Sequence, residues 1–392
     1  MVDFDVAIVG GGMIGLATAC GLYQQGMKIA IISDNHQLYR ELDEHQVEIR
    51  ASAINYASQK YFQQIGIWND LLASNRVQPF DSIDVQEVDG FASLNEHSVA
   101  YPHSHLGYII ENQLIQNTLY HKLAEQKQVH FFYQKVTDLF FSSDRGFIQL
   151  ANGNQIAAKL IIAADGANSF IRQQQKIKMF TQPYKHHAII ATVRTEIAHQ
   201  ACAKQIFYPQ GIIAFLPLWK SNESCLVWST NPQNANRLVG LTNDEFNYQL
   251  NQIVEHYTGQ CELISERYTF PLIARYCLNT VKSRLILIGD AAHTIHPLAG
   301  QGANLGFQDS KQLIDLINSH YIEHHDIGLS RYYRYYQLNR HKDTLIMMAA
   351  MKGIQDIFNG YNPIKNVTRG VGMNAINRLD CLKKQIIKYA ME

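Results

Sequence analysis

Three glycines near the start of the chain have the spacing of a dinucleotide-binding turn. The run Gly10-Gly11-Gly12-Met13-Ile14-Gly15 is a Gly-x-Gly-x-x-Gly motif. In such a turn Gly10 permits the tight bend, Gly12 lets the backbone approach a pyrophosphate, and Gly15 lets the next helix pack closely on the preceding strand. The N-terminus of that helix offers free N–H groups and a partial positive charge to phosphates. The motif therefore predicts a dinucleotide site.

A fingerprint of this kind usually has an acidic residue at the end of its second strand, where the carboxylate accepts hydrogen bonds from a ribose. By spacing, that position falls on Ser33, and Asp34 follows it. We predict that Asp34 takes this role through a small shift of the chain, with the Ser33 hydroxyl as the alternative.

Two further motifs place an aspartate just after an apolar run that is typical of a buried parallel strand. Asp165-Gly166 follows the run at residues 160–164, and its motif ends at Arg172. Asp290 follows the run at residues 285–288 and precedes a Gly-rich stretch, residues 300–306, that begins another helix. Because open α/β sheets bind ligands at the carboxyl edge of their strands, we predict that both aspartates lie at the ligand site.

The elements that must position these residues change character along the chain. Residues 6–9, a helix over 14–25 and residues 29–32 predict a β-α-β unit. From about residue 181 to 274, short segments rich in β-branched and aromatic residues are separated by turn formers, which predicts an antiparallel sheet. The fold class that we predict is therefore α/β, a Rossmann-like domain with an inserted, mainly antiparallel β-sheet domain and a helical C-terminal tail. The Rossmann-like domain would be discontinuous (1–75, 101–180 and 275–330), the sheet domain would comprise 76–100 and 181–274, and the helical region 331–392.

Composition argues against several classes of protein. Lys and Arg together number 34, as do Asp and Glu, so the formal net charge is zero and we do not expect nucleic-acid binding. The apolar stretch from residue 6 to 27 contains six glycines and predicts a strand, a turn and a helix rather than a membrane span. The lack of a secretory signal and of Cys-x-x-Cys pairs predicts a cytoplasmic protein. The seventeen histidines show no recognised metal-binding spacing, so we predict no metal.

In their order and spacing, the three motifs resemble those of the flavoprotein aromatic hydroxylases of the para-hydroxybenzoate hydroxylase type. Within that superfamily the chain is similar to the ubiquinone-biosynthesis ring hydroxylases. The similarity includes residues 50–54, 107–112, 214–218 and the run from Gly289 to Gly302, and it covers nearly the whole chain. The resemblance implies that the Rossmann-like domain binds FAD.

The resemblance also implies roles for the residues that match the family's motifs. The pyrophosphate end of FAD would be bound by Gly10, Gly12, Gly15 and Arg50, and Asp290 would accept hydrogen bonds from its hydroxyl groups. The motif of Asp165, Gly166 and Arg172 is tied to both FAD and the nicotinamide donor. The pyrimidine edge of the flavin would lie along Gly300, Gly302, Ala303 and Asn304. Two positions depart from the family: Ile212 replaces its usual Pro, and the Glu of the first ribose contact is missing.

The implied reaction is hydroxylation of the aromatic ring of a polyprenylated phenol or benzoquinol in ubiquinone biosynthesis. FAD would be the cofactor, NAD(P)H the reductant and O2 the co-substrate. Two alternatives stay open: an FAD-dependent quinone or polyprenyl reductase on the same fold, and a non-catalytic scaffold of the biosynthetic complex. No catalytic residue is assigned, since His296 fits an ordinary loop histidine better than a phenol-deprotonating group.

The apolar substrate raises the question of where the protein meets it. A neutral chain without a membrane span is expected to be cytoplasmic and to touch the inner face of the membrane weakly, or to meet its substrate through partner proteins. Residues 330–392 are the candidate docking surface, and a homo-oligomer is left open.

Overall fold

The structure is a computed structural model that describes residues 2–34, 39–43, 46–88, 93–98, 104–294 and 301–358. Elements are numbered in chain order. The helices are α1 (Met13–Tyr23), α2 (Tyr56–Gln64), α3 (Trp68–Ala73), α4 (Asn112–Ala124), α5 (Phe170–Gln174), α6 (Pro232–Val239), α7 (Asn243–Thr258), α8 (Gln301–Ile322) and α9 (Arg334–Phe358). The strands are β1 (Val2–Val9), β2 (Ile29–Ile32), β3 (Ala51–Ile54), β4 (Gln78–Phe80), β5 (Ser82–Glu87), β6 (Ser93–His97), β7 (Gly107–Glu111), β8 (Val129–Phe132), β9 (Val136–Phe141), β10 (Gly146–Leu150), β11 (Gln155–Ala163), β12 (Met179–Thr195), β13 (Cys202–Tyr208), β14 (Gly211–Pro217), β15 (Glu223–Thr230), β16 (Cys261–Leu263), β17 (Tyr268–Cys277), β18 (Val281–Lys282), β19 (Leu285–Leu287) and β20 (His293–Thr294).

The first sheet carries all the strands that precede the predicted ligand motifs. Its order is β18-β19-β11-β1-β2-β8; β10 extends it by antiparallel pairing with β11, and β9 pairs antiparallel with β10. The strands β19, β11, β1, β2 and β8 run parallel to one another, whereas β18 pairs antiparallel with β19. Val9 pairs with both Ala163 and Ile32, and Ala163 pairs with Leu287. Four strands therefore end at the same level, and the segments that follow them meet at one edge.

Burial on both faces explains why these strands are short and almost wholly apolar. Every residue of β2 is buried, as are residues 6–9 of β1. On one face, Ile8 and Ile31 pack with α1, α4 and α8 in a cluster that includes Leu16 and Phe307. The opposite face forms a second, smaller apolar cluster with β10 and β19. Because both faces of these central strands are buried, side chains on either face must be apolar, and the strands appear in the sequence as continuous apolar runs.

The second sheet is mainly antiparallel. Its order is β20-β17-β12-β15-β14-β13-β5-β6, with β16 on β12, and of the described pairs within this second sheet only β13–β5 is parallel. One face is covered by α6 and α7, where Trp228 packs against Phe246. A third, small sheet has the order β3-β7-β4. In the first sheet β10 and β11 form a hairpin, and the domain boundaries given above stay predictions.

The C-terminal part of the described chain is helical. A 3-10 turn at Ser330–Tyr333 leads into α9, and the predicted tail beyond residue 358 lies outside the described residues. Across the described ranges, every helix is too short or too polar to cross a membrane.

Candidate functional site

The loop between β1 and α1 owes its shape to two glycines. Gly10 has a φ of +119°, and a side-chain carbon there would lie 2.2 Å from the carbonyl oxygen of Ala164. A side-chain carbon at Gly15 would lie 2.1 Å from the carbonyl oxygen of Gly10. Because even a methyl group would collide with backbone at both positions, the packing of the chain itself requires glycine there.

Gly12 is different, because the protein's own packing does not require it to be glycine. A side-chain carbon at Gly12 would have no atom within 4 Å. Gly12 precedes the first residue of α1 and provides no side-chain cap, and the first turn of α1, all of which the structure describes, contains no acidic residue. There is therefore room beside the N-terminus of α1, and its first turn adds no negative charge of its own, an arrangement that suits a phosphate.

Asp165 lies beside this loop, just past the end of β11. Its Oδ2 accepts a hydrogen bond from the backbone N–H of Ile171 at 3.2 Å. Its Oδ1 is buried and has no hydrogen-bond partner among the described residues. Burial raises the pKa of this carboxyl group above its ordinary value. A buried carboxylate oxygen without a donor is costly, so this site is suited to a ligand that supplies an N–H or O–H group. The adjacent Gly166 has a φ of +81° and open space where a side chain would be.

Arg172 joins the two aspartate motifs through their backbones. It is buried and donates hydrogen bonds to the carbonyl oxygens of Ala291 at 2.9 Å and Ala167 at 2.8 Å. Since Ala167 follows Asp165-Gly166 and Ala291 follows Asp290, one guanidinium group fixes the distance between the motifs. This geometry favours a positioning role for Arg172 over direct contact with a ligand.

Asp290 stands in the 3-10 turn Gly289–Ala291, directly after β19. Its side chain is exposed. Desolvation by the surrounding protein nevertheless raises its pKa, against the opposing charges of His293, Arg50 and Arg275. A carboxylate that is both accessible and surrounded by protein is expected in the wall of a cleft. The influence of Arg50 shows that this residue, just before β3, lies on the same side of the site.

A buried network behind Asp290 was not identified from the sequence. Asp309 of α8 accepts hydrogen bonds from the Gly289 backbone N–H at 2.8 Å, from His293 Nε2 at 2.7 Å and from Arg340 Nε at 2.6 Å. Desolvation alone would raise the pKa of Asp309, but His293 and Arg340 outweigh it and lower the pKa to about 2. The network connects α9 through α8 to the turn that carries Asp290. A lone Asp on the apolar face of a helix was the only sequence signal for it.

The start of α8 brings the last group of predicted residues to the same edge. Gly302 has open space around its Cα, and Ala303 packs partly on the core. Asn304 is buried, and its Oδ1 accepts hydrogen bonds from the Asn55 N–H at 3.1 Å and from Ser58 Oγ at 2.8 Å. Its Nδ2 donates to the carbonyl oxygen of Ala53 at 2.7 Å. The Asn304 side chain therefore fixes β3 and α2 against α8. Gly300 lies outside the described residues.

Ser33 and Asp34 also lie at this edge. The Ser33 N–H donates to the carbonyl oxygen of Phe132 at 3.0 Å, which extends the pairing of β2 with β8 by one residue. Asp34 is exposed and is followed by residues outside the described ranges. Both side chains are placed where the second strand ends, and the choice of Asp34 over Ser33 stays a prediction.

A buried ion pair fixes the segment that carries Arg50. Glu111 at the end of β7 accepts hydrogen bonds from Arg76 Nε at 2.6 Å and Nη2 at 2.8 Å, and from the Glu48 N–H at 2.5 Å. Arg76 also donates to the carbonyl oxygens of Asp43 and Gln46, both at 2.7 Å. The sequence comparison singled out residues 107–112 without assigning Glu111 this role.

With this geometry established, comparison with known proteins identifies the family. Residues 3–342 match the model of the FAD binding domain family. The chain belongs to that family. The aligned relatives extend the match over the full length, with 32% identity to the 3-demethoxyubiquinol 3-hydroxylase of Escherichia coli strain K12, covering 99% of this chain and 98% of that protein. Identity is 31% to the ubiquinone hydroxylase UbiL of Rhodospirillum rubrum (99% and 89% covered) and 29% to the ubiquinone biosynthesis monooxygenase COQ6 of Xenopus tropicalis (99% and 93%). The predicted resemblance is confirmed.

Solved structures confirm the predicted fold class. The p-nitrophenol 4-monooxygenase PnpA from Pseudomonas putida DLL-E4 superposes with a TM-score of 0.80 at 17% identity, covering 99% of this chain and 97% of that one. PqsL from Pseudomonas aeruginosa, a probable FAD-dependent monooxygenase, gives a TM-score of 0.76 at 16% identity, covering 95% and 100%. At these identities the likeness establishes the shared fold alone.

Proposed function

We propose that the protein is a flavin-dependent monooxygenase that hydroxylates the aromatic ring of a polyprenylated benzoquinol or phenol in ubiquinone biosynthesis. The observation that carries this proposal is the meeting of three features at one sheet edge in a chain related along its length to ubiquinone-biosynthesis hydroxylases. These features are the open turn at Gly12, the Asp165 oxygen that has no hydrogen-bond partner in the described part of the chain, and the accessible carboxylate of Asp290.

The residues present fit FAD. When bound, FAD takes electrons from NAD(P)H and activates O2 for transfer of one oxygen atom to an electron-rich ring. The turn at Gly10, Gly12 and Gly15 would bind the pyrophosphate through the N–H groups of α1, and Arg50 would supply positive charge to it. Asp290 would accept hydrogen bonds from cofactor hydroxyl groups.

Two further groups would act on the reactive end of the cofactor. The N-terminus of α8 at Gly302 presents N–H groups and a partial positive charge, which would stabilise negative charge on the pyrimidine edge of the flavin. Asp165 Oδ1 would accept a hydrogen bond from the cofactor or from the nicotinamide donor. The role of Gly300 stays a prediction.

The open turn and the unpartnered carboxylate oxygen argue against a non-catalytic scaffold, since a scaffold gains nothing from either. An isotope experiment separates the hydroxylase from a reductase on the same fold. The protein would be supplied with FAD, NADH or NADPH, a short-chain demethoxyubiquinol analogue and ¹⁸O2. A hydroxylase gives a product that contains one ¹⁸O atom, with matching oxygen uptake. A parallel reaction receives the corresponding quinone: its reduction to the quinol, with no ¹⁸O in the product from either substrate, would identify a reductase, and the Asp290→Ala variant controls for contaminating activity.

The outer face of α9 is the part of the protein that we propose contacts the membrane surface. Tyr335, Leu338, Leu345 and Ile346 are exposed there, at 73, 57, 50 and 42% of their surface, and Lys342 stands between them. Their spacing places them along one side of the helix, and exposed apolar side chains with a basic neighbour suit weak, interfacial binding. A polyprenylated substrate resides in the membrane, so such contact would bring the protein to it.

Sedimentation with anionic vesicles tests this surface. The double variant Leu338→Gln/Leu345→Gln is expected to lose vesicle binding, whereas Leu72→Gln, which changes a comparably exposed leucine on α3, should retain it. Equal binding by all three proteins would contradict a role for α9 and leave delivery by partner proteins as the better explanation.

A further inference from the structure

Three potential metal ligands converge where α8 ends. His320 lies in the last turn of the helix, Glu323 follows the last helical residue, and His325 is two residues farther on. Their nearest ligand atoms lie within 4.8 Å of one another. The helix begins at the cofactor site and is 22 residues long, so this cluster lies about 30 Å away from Gly302. It takes no part in the site described above.

The spacing of the three ligand atoms matches a single small cation. His320 Nδ1 is 3.4 Å from His325 Nδ1, His325 Nδ1 is 3.2 Å from Glu323 Oε2, and His320 Nδ1 is 3.9 Å from the same oxygen. A triangle with these sides has a point about 2 Å from all three corners. That distance equals the Zn²⁺ bond length to imidazole nitrogen or carboxylate oxygen. The three atoms are therefore close enough together to bind one ion, with small side-chain rotations bringing them to tetrahedral geometry.

Backbone geometry, rather than chance side-chain rotation, brings the two histidines together. His324 has a φ of +57°, and its N–H donates to the carbonyl oxygen of Tyr321 at 3.0 Å. The His325 N–H donates to the carbonyl oxygen of His320 at 2.8 Å. This pair of hydrogen bonds is the Schellman motif, with His324 in the left-handed position that glycine usually occupies. The motif folds His325 back over the last turn, beside His320.

The aromatic surroundings hold the imidazole rings in place. The ring of Tyr332, in the 3-10 turn that precedes α9, stacks on His320 with centroids 4.1 Å apart and on His325 with centroids 5.7 Å apart. Arg331 lies over the same tyrosine ring, 5.1 Å from its centroid, and donates to its hydroxyl oxygen at 3.2 Å. Ligands that are already oriented lose little freedom when they bind a metal.

The local charge also favours a cation. The Glu323 carboxylate and the partial negative charge at the carboxyl end of α8 attract a cation, and the positive charge of Arg331 is directed to the ring of Tyr332 instead of to the three ligand atoms.

We propose that His320 Nδ1, Glu323 Oε2 and His325 Nδ1 bind one divalent transition-metal ion of the zinc type, with water completing the coordination. Two imidazoles and a carboxylate are a ligand set that Zn²⁺ uses widely. The ion would fix the end of α8 against the turn containing Tyr332, and hence the approach of the chain to α9. The order His-x-x-Glu-x-His matches no helical metal motif, because the ligands come together only after the helix has ended.

Zn²⁺ titration of the tag-free, full-length protein with FAD bound, after removal of metals by chelator and dialysis, tests the proposal. We expect one equivalent to bind, with at least tenfold weaker binding in His320→Ala, His325→Ala and Glu323→Gln. His324→Gly is the matched control: it removes the neighbouring imidazole but keeps the left-handed backbone position, so it should bind Zn²⁺ like the parent. Equal weakening in His324→Gly, or unchanged binding in all three ligand variants, would overturn the proposal.

A second measurement does not depend on the affinity being high. Ligands that bind only the folded state raise its unfolding temperature. Zn²⁺ should therefore raise the unfolding temperature of the parent and of His324→Gly but not that of Glu323→Gln, which preserves the size of the side chain. Co²⁺ should give the visible absorption bands of a nitrogen- and oxygen-coordinated ion in the same two proteins. A Zn²⁺-induced shift that persists in Glu323→Gln would count against the assigned ligand set.

Discussion

Replacement of Asp309 by Asn should destabilise the protein and loosen the turn that carries Asp290. Asp309 is 1% exposed and accepts three hydrogen bonds, from Gly289, His293 and Arg340. An asparagine has one acceptor oxygen, and its NH2 group would face at least one of these donors. Arg340, itself 3% exposed, would also lose a buried counter-charge.

The magnitude follows from two independent considerations. Because the folded-state pKa of Asp309 is about 2, compared with an ordinary value of 3.8, its ionisation stabilises the folded state by about 2 kcal/mol at neutral pH. That contribution is present above pH 4 and is lost as the pH falls towards 2, since the lowered pKa means that the unfolded chain binds the proton first. Removing one partner of a buried ion pair costs about 3–5 kcal/mol. We therefore expect Asp309→Asn to lower the free energy of unfolding by about 2–5 kcal/mol.

Denaturant unfolding, followed by circular dichroism at pH 7, measures this loss, and titration with FAD measures the effect on the site. Asp343→Asn is the control, since Asp343 also pairs with Arg340, at 2.9 Å, but its side chain is 37% exposed. The control should lose less than about 1 kcal/mol. Equal losses in the two variants, or FAD binding unaffected in Asp309→Asn, would refute the assignment of Asp309 as the support of the Asp290 turn.

Three further predictions concern the cofactor site. Gly12→Ala should leave the unfolding temperature nearly unchanged but weaken FAD binding. Gly15→Ala should instead lower the unfolding temperature, because the added methyl carbon would lie 2.1 Å from a backbone oxygen. A lower unfolding temperature for Gly12→Ala than for Gly15→Ala would contradict the packing argument. Asp290→Ala should weaken FAD binding about ten- to a hundredfold, the equivalent of a charge-assisted hydrogen bond worth about 1.5–3 kcal/mol, and identical titration curves would exclude its role. If Asp34 contacts the ribose, Asp34→Ala should weaken FAD binding while Ser33→Ala has little effect; the opposite result would assign the contact to the Ser33 hydroxyl.

The features that could be predicted from the sequence are those whose causes are local. Gly10 and Gly15 are required by contacts within one strand-turn-helix unit, so their spacing alone identifies the turn. Asp165 and Asp290 follow apolar runs that only a central parallel strand accepts, which places both at the same sheet edge. The order of the motifs then sufficed to indicate the family.

The features that could not be predicted depend on partners far apart in the sequence. Glu111 and Arg76 look like ordinary charged residues until β7 buries one against the other. Asn304 was placed with the flavin edge because of its motif, yet its side chain is occupied by hydrogen bonds to β3 and α2. The pairing of His320 with His325 requires a helix to end between them, and the periodicity of the chain does not specify that geometry.

Helix α8 contacts both of the segments that carry the charged residues of the proposed cofactor site. Near its N-terminus, Asn304 fixes β3, the strand that follows Arg50. One to two turns farther on, Asp309 holds the Gly289 N–H and thus the turn of Asp290. Helix α8 therefore fixes the positions of both Arg50 and Asp290, the two charged residues that we propose contact the cofactor. Arg340 of α9 donates a hydrogen bond to Asp309. We therefore expect a change in the position of α9 to shift α8 and, through it, the segments that carry Arg50 and Asp290. If α9 also contacts the membrane, as proposed, then the buried ion pair between Arg340 and Asp309 links the membrane-binding helix directly to the turn that carries Asp290.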